Sequence, residues 1–141
     1  MKKLLLLLAI FCSIGINAKT DCRATSVACS INQSEWSDWY DLNCLVSFVP
    51  ETEQIIIYSD INYTNRTFSI NNKASQILDY TNITTTSGIN NQGVSYTMKT
   101  LNCTDRFNSN CTAMLLIFND GNFMLIIQYN NITYKYMLQC L

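Results

Sequence analysis

Residues 113–139 read AMLLIFNDGNFMLIIQYNNITYKYMLQ, and this stretch decides the predicted fold. Two apolar runs flank Asn-Asp-Gly-Asn, whose central Asp120-Gly121 favours a two-residue turn because it accepts the positive φ angles of a tight hairpin. Asn130-Asn131 predicts a second turn, and in the strand that follows, alternate side chains share a face. That face would carry Ile132, Tyr134, Tyr136 and Leu138. The stretch therefore predicts three antiparallel strands that follow one another in the chain.

Strand patterns also occur upstream of this meander. Residues 44–49 and 54–59 are apolar and β-branched, and the short polar break between them predicts a hairpin. Residues 94–100 alternate cleanly, while residues 67–70 and 74–80 are weaker strand candidates. One face of the alternating segment would carry Val94, Tyr96 and Met98, and the other Ser95, Thr97 and Lys99. We therefore predict an all-β domain, a single antiparallel barrel or barrel-like sheet of about eight strands.

The segment before these strands lacks a clear alternation. We predict that residues 21–42 form an irregular, partly helical lead-in to the barrel. Within it, residues 34–42 predict a helical turn or two that places Trp36, Trp39 and Tyr40 on one side.

The N-terminus has the pattern of a secretory signal peptide. Lys2 and Lys3 precede an apolar run that is too short to span a bilayer comfortably, and Ala18 supplies the small side chain required before the cut. We predict a signal peptide at residues 1–18 and a single disulfide-stapled β domain at residues 19–141. No later stretch predicts a stable membrane anchor, so the expected location is secreted and extracellular.

Seven cysteines occur in the chain, and Cys12 lies within the predicted signal peptide. An even number of cysteines in a short secreted domain predicts a disulfide framework, although the spacing leaves its connectivity open. Three of the remaining cysteines lie near the front of the domain and three near its end, so at least one bridge joins the halves. The predicted disulfide cysteines are Cys22, Cys29, Cys44, Cys103, Cys111 and Cys140.

Asn-x-Ser/Thr sequons are about twice as frequent as chance predicts in a chain so rich in asparagine. Several of them are therefore expected to be glycosylated, and hence exposed. The predicted N-glycosylation sites are Asn32, Asn62, Asn65, Asn82, Asn102, Asn110 and Asn131. Asn102 and Asn110 flank predicted disulfide cysteines, so folding is expected to compete with glycosylation at both.

The composition excludes several classes of function. The chain has no histidine, which removes the commonest general base and zinc ligand, and no Cys-x-x-Cys pair or phosphate-binding glycine loop occurs. Glu35, Asp38 and Asp41 cluster near tryptophans, as glycosidase carboxylates do, but acids on an exposed segment face water by default. We therefore predict no catalytic residue, no metal site and no cofactor. Without Lys2 and Lys3 the chain carries seven basic and ten acidic residues and no basic patch, so nucleic acid is not an expected partner.

Aromatic residues are the best candidates for a binding site. Most of them are expected to fill the core, but a buried tyrosine needs a partner for its hydroxyl, which favours pocket walls for Tyr134 and Tyr136. The full set of predicted ligand-binding residues is Trp39, Tyr40, Tyr96, Tyr134 and Tyr136.

Two segments resemble the secreted lipocalins. Ser37-Asp38-Trp39-Tyr40 followed by Cys44 is similar to the family's Gly-x-Trp-Tyr opening and its second-strand cysteine. Residues 117–127 resemble its Thr-Asp-Tyr turn between two strands, although Ser37 and Asn119 depart from the family pattern and the C-terminal helix is missing. The resemblance implies an eight-stranded barrel around a small apolar ligand, and a bridge from Cys44 to Cys140.

The predicted function is extracellular binding without catalysis. The expected partner is an unknown small apolar ligand held in the barrel, or an extracellular protein. The alternative is an immunoglobulin-like β-sandwich that recognises a protein surface and encloses no ligand.

Overall fold

The computed structural model describes residues 19–140, so the predicted signal peptide lies outside the described residues. These residues form ten strands and contain no helix long and apolar enough to cross a membrane. The strands are β1 (Thr20–Ile31), β2 (Tyr40–Val49), β3 (Gln54–Ile57), β4 (Asp60–Thr64), β5 (Thr67–Asn71), β6 (Gln76–Ile89), β7 (Ser95–Thr104), β8 (Asn110–Phe118), β9 (Phe123–Gln128) and β10 (Ile132–Cys140).

Eight of the strands form one antiparallel sheet that closes into a ring in the order β1-β10-β9-β8-β7-β6-β3-β2. Each strand pairs with the next ring strand in the chain, and β10 returns to pair with β1. The remaining two strands, β4 and β5, form a separate hairpin. The predicted all-β, barrel-like fold is confirmed, as a single ring rather than two sheets packed face to face.

The C-terminal meander is confirmed and supplies much of the interior. Alternate residues are buried along β8 and β9, as the pleat of a strand requires. The turn between them differs from the predicted two-residue turn, because the Phe118 N–H donates to the Asn122 carbonyl at 2.9 Å and encloses three residues. Gly121 lies in that loop with a φ of 94°, a value that glycine adopts without strain.

The predicted hairpin at residues 44–59 is also confirmed, with Phe48 opposite Ile55. The alternation at residues 94–100 becomes β7, but its more polar face is the one that points inward. Leu101 and Cys103 continue that face and belong to the buried core. Lys99 lies on the same face and is only 2% exposed, and its ammonium donates to Thr85 Oγ1 at 2.7 Å.

The lead-in differs from the prediction. Residues 20–31 form the twelve-residue strand β1, and no helix occurs between residues 34 and 42, where the chain runs without regular structure into β2. The pairing of β1 with both neighbours shifts between Ala24 and Ser26, so the inward face changes phase within the strand. A β-bulge of this kind breaks the period-two pattern and thereby hides the strand from a reading of hydropathy.

The interior of the ring is filled with side chains. Its largest fully buried members include Tyr136, Phe48, Leu115 and Leu125. The β4–β5 hairpin packs against one end of this core, because Ile61 is itself buried in it. Phe68 of the hairpin contacts Tyr40 and Tyr63, with ring centroids 5.2 and 4.6 Å apart.

Candidate ligand-binding cleft

Four segments that are distant in sequence meet at the end of the ring beside the β4–β5 hairpin. They are the hairpin itself, the start of β6, the β7–β8 loop and the β9–β10 turn. Together they enclose a space of about 410 Å³ that opens to solvent, which we call the cleft.

The walls of the cleft are largely apolar. Ile61 comes from β4, Ile77 from β6, and Ile132 and Tyr134 from β10. Ile61 and Tyr134 are buried, so they form the floor, whereas Ile77 and Ile132 are partly exposed to the space above.

Phe107 stands at the rim of the cleft and is 88% exposed. Its loop is nevertheless well fixed: the backbone N–H groups of Phe107 and Ser109 both donate to Asp105 Oδ1 at 2.9 Å. The Tyr129 hydroxyl donates to Asp105 Oδ2 at 3.0 Å. An aspartate that closes such a turn fixes the backbone from which the exposed phenyl ring projects beside the opening.

Half of the residues that line the cleft are polar or charged, although most of its surface is apolar. Asp60, Gln76, Asp105 and Arg106 are the main ones, and Gln76 donates to the Ser59 carbonyl at 3.1 Å. Arg106 donates through Nη1 to the Ser75 carbonyl at 3.2 Å, and a guanidinium carries five N–H donors in all. Arg106 therefore keeps donors for an acceptor group of a ligand.

The two tyrosines of the cleft are held in their neutral form. Burial raises the pKa of Tyr134 to about 12, and the nearby Cys29 and Asp60 act in the same direction. Burial also raises the pKa of Tyr129, with contributions from Cys111 and from its bond to Asp105. Both hydroxyls therefore remain hydrogen-bond donors at physiological pH.

No family model, curated protein or solved structure matches this chain. The chemistry of the cleft has to be inferred from its own residues. Apolar walls, polar groups that can orient a ligand and an exposed aromatic rim are typical of a binding site for a small molecule.

The five predicted ligand-binding residues lie in different places. Tyr134 lines the cleft, whereas Tyr136 is fully buried beneath it, with the two ring centroids 6.4 Å apart. Trp39 lies outside the ring, and Tyr40 packs on Phe68 of the hairpin. Tyr96 packs on Phe118 on the outer face of β7 and β8, with ring centroids 5.6 Å apart.

Trp39 belongs to an outer aromatic cluster. The Lys135 ammonium lies 4.1 Å from the ring centroid of Trp36 and 4.9 Å from that of Trp39. Both indoles are roughly half exposed, and burial beside them lowers the pKa of Lys135. The three carboxylates weighed as catalytic groups, Glu35, Asp38 and Asp41, are exposed nearby and do not line the cleft.

Sequence reasoning missed Phe107, Arg106 and Tyr129 as cleft residues. One signal was present: Asp105-Arg-Phe-Asn-Ser109 places a phenylalanine inside a run of turn-forming residues, where a buried side chain is not expected. The positions of Arg106 and Tyr129 depend on how the loops meet, and no local pattern predicts them.

The six cysteines are arranged differently from the pairing that the lipocalin resemblance implies. Cys140 lies opposite Cys22, with sulfurs 3.0 Å apart, while Cys44 lies opposite Ala24. Cys103 lies opposite Cys111. No two sulfurs in the described part of the chain are at bonding distance.

Cys29 and Cys44 are not brought together. Cys44 is level with Ala24 on β1, and Cys29 lies five residues further along, roughly 16 Å at about 3.3 Å per residue. A disulfide requires Cα atoms within about 7 Å, so this pair cannot bond in this fold.

All seven sequon asparagines are exposed, as glycan acceptors must be. Asn62 and Asn131 line the cleft, and Asn32 and Asn65 lie in turns at the same end of the ring. Asn32, Asn65 and Asn82 have positive φ angles, a conformation that asparagine tolerates better than most residues.

Proposed function

We propose that this protein is a secreted, N-glycosylated extracellular binding protein that holds a small, largely apolar ligand in the cleft. The observation that carries the proposal is Phe107, an 88% exposed phenyl ring on a hydrogen-bonded loop beside a partly apolar space of about 410 Å³. Ligand pockets commonly enclose about 300–1,000 Å³, so the space is large enough for a small molecule.

The exposed ring supplies a driving force for binding. Covering a phenylalanine side chain is worth about 1.5–3 kcal/mol, and the walls at Ile77 and Ile132 add further apolar area. Arg106 would donate to an acceptor on the ligand, so an apolar molecule with a carboxylate or carbonyl at one end fits this chemistry best.

In this proposal, the resemblance to lipocalins concerns the architecture of the barrel. An eight-stranded ring whose neighbours follow chain order is compatible with that family's barrel. Because Tyr136 and Phe48 fill the interior here, we place the ligand at the mouth of the ring rather than along its axis.

Secretion and glycosylation are supported by independent features. Seven exposed sequons suit a glycosylated protein of the secretory pathway, and two pairs of cysteines on adjacent strands suit an oxidising compartment. The predicted signal peptide at residues 1–18 also supports secretion.

The test is ligand binding by the full chain secreted from cultured eukaryotic cells. We expect the neutral fluorophore N-phenyl-1-naphthylamine to bind with enhanced emission, and a C12–C18 fatty acid to displace it. Ala74→Phe, which places a ring in the cleft, should abolish binding, whereas Thr86→Phe on the exposed part of β6 should not. Equal binding by both variants would show that the cleft is not the site.

A second candidate function is recognition of an extracellular protein through the outer aromatic cluster. Trp36, Trp39 and Tyr40 are each more than 40% exposed, and tryptophan and tyrosine are the residues most enriched in binding hot spots. The double change of Trp36 and Trp39 to alanine should then abolish binding to a target cell surface while leaving fluorophore binding intact. Loss of fluorophore binding in this double variant, with cell-surface binding kept, would favour the cleft alone.

A further inference from the structure

Two sequons face each other across adjacent strands. Asn102-Cys103-Thr104 lies on β7 and Asn110-Cys111-Thr112 lies on β8, and the two tripeptides pair in register. Asn102 is opposite Thr112, Cys103 is opposite Cys111, and Thr104 is opposite Asn110. The central residue of both acceptor motifs is thus a cysteine that faces the other.

The pleat divides these tripeptides between the two faces of the sheet. The cysteines belong to the buried core, whereas Asn102 and Asn110 are exposed on the outer face. Asn102 and Asn110 are diagonal neighbours, whose side chains begin roughly 7–8 Å apart. The Thr104 hydroxyl lies 3.5 Å from Asn110 Oδ1, so the threonine of one sequon contacts the acceptor of the other.

Glycan transfer requires a different geometry. The Asn Nδ2 bonds to C1 of a sugar, the bond from C1 to a lipid-linked pyrophosphate breaks, and the amide proton leaves with the pyrophosphate. The sequon threonine assists from a bent backbone in which its hydroxyl reaches the asparagine two residues before it. β7 is paired on both sides at residues 102–104, whereas β8 is paired with β9 only from Thr112 onward. Neither tripeptide can bend in this way without breaking the ladder that joins it to the other.

Cys103 and Cys111 lie opposite each other on adjacent strands, where they can form a disulfide. The Cys103 thiol donates to the Leu101 carbonyl at 3.7 Å. Its interaction with the neighbouring Cys111 lowers the pKa of Cys111, and the Tyr129 hydroxyl acts in the same direction. The interaction with Cys111, together with burial, raises the pKa of Cys103. Cys111 is therefore the first of the pair to become a thiolate, the nucleophile that attacks a disulfide donor.

We propose that closure of a Cys103–Cys111 disulfide ends glycan transfer to Asn102 and Asn110, so that the two modifications compete for the same two tripeptides. In closure the two thiols lose two protons and two electrons, and an oxidised protein disulfide of the secretory pathway accepts them and becomes a dithiol. The bond fixes β7 and β8 in register at the centre of both sequons. This inference rests on the proposed secretion and is independent of the ligand.

The chain offers a matched test, because Cys103→Ser and Cys111→Ser remove the thiol and keep both sequons. Glycopeptide mass spectrometry of the secreted full chain should show higher glycan occupancy at Asn102 and Asn110 in either variant, relative to occupancy at Asn131. The double variant Cys22→Ser/Cys140→Ser is the control for slow folding, since it removes the other facing pair and should leave that ratio unchanged. A rise at all sequons in every variant would overturn the proposal.

A second measurement needs no substitution. Dithiothreitol added to cells that express the natural chain blocks disulfide formation, and occupancy at Asn102 and Asn110 should then rise relative to Asn131. High occupancy of both asparagines on untreated molecules that carry the Cys103–Cys111 bridge would refute the competition. A chain without any glycan would refute it as well, while fluorophore binding to the cleft would remain a separate result.

Discussion

Cys22 and Cys140 lie directly opposite one another where the first and last strands of the ring meet, and their sulfur atoms are 3.0 Å apart. The two residues are separated by 118 positions in the chain. A bond between them would connect nearly the whole domain into one covalent loop and hold the seam at which the ring closes.

Replacing Cys140 with serine should therefore destabilise the oxidised protein. Closing a loop of this length is worth up to about 4–5 kcal/mol in the chain-entropy model. In urea unfolding experiments, adding a reductant should lower the midpoint urea concentration of the natural chain much more than that of the Cys140→Ser variant. Equal sensitivity to reductant in the two proteins would show that this pair does not bond.

The buried thiol of Cys29 should make the stability of the folded protein depend on pH. Burial raises the pKa of its thiol from 9.0 to about 11. The unfolded chain then loses this proton first, so stability is unaffected below about pH 9 and falls as the pH rises from 9 to 11. Unfolding free energies measured from pH 8 to 11 should show this fall in the natural chain and a smaller one in Cys29→Ala. Parallel profiles would mean that Cys29 has no free thiol in the folded protein.

Tyr136 and Tyr129 should respond in opposite ways to loss of a hydroxyl. The Tyr136 hydroxyl is buried without a well-formed hydrogen bond in the described structure, although Gln76 lies close enough to influence its pKa. Tyr136→Phe should leave stability unchanged or raise it by up to about 1 kcal/mol, because no satisfied bond is lost. Tyr129→Phe removes the bond to Asp105 and should cost about 1–3 kcal/mol. Thermal unfolding of the two variants under identical conditions would compare their changes in stability.

Leu115 and Leu116 are neighbours on β8 that point to opposite faces of the sheet. Leu115 is fully buried in the ring, whereas Leu116 lies partly exposed on the outside. Leu115→Ala should lower the free energy of unfolding by about 2–5 kcal/mol, as expected for a cavity in a packed core. Leu116→Ala is the matched control and should cost much less. Similar losses in urea unfolding would show that the outer face is covered by something that packs as tightly as the core.

Where apolar runs are separated by clear turn signals, the sequence was enough. The meander at residues 113–139 and the hairpin at residues 44–59 were predicted correctly, since apolar runs and the turn residues between them can be recognised from consecutive residues. The hydrophobic pattern did not predict strand β1, because the irregular pairing between Ala24 and Ser26 changes which face of the strand points inward. The alternation at residues 94–100 predicted the two faces of β7, and only the structure shows that the face with Lys99 points inward.

The sequence by itself determined the all-β class, the exposed sequons and the residues available for chemistry, because each depends on residue type and local spacing. Only the tertiary structure decided which residues meet. Cys140 lies beside Cys22 rather than Cys44, and Phe107 and Tyr134 line the same cleft, because strand register and loop closure place residues that are far apart in the chain. The cleft is a product of those long-range pairings, and no local pattern in the chain encodes it.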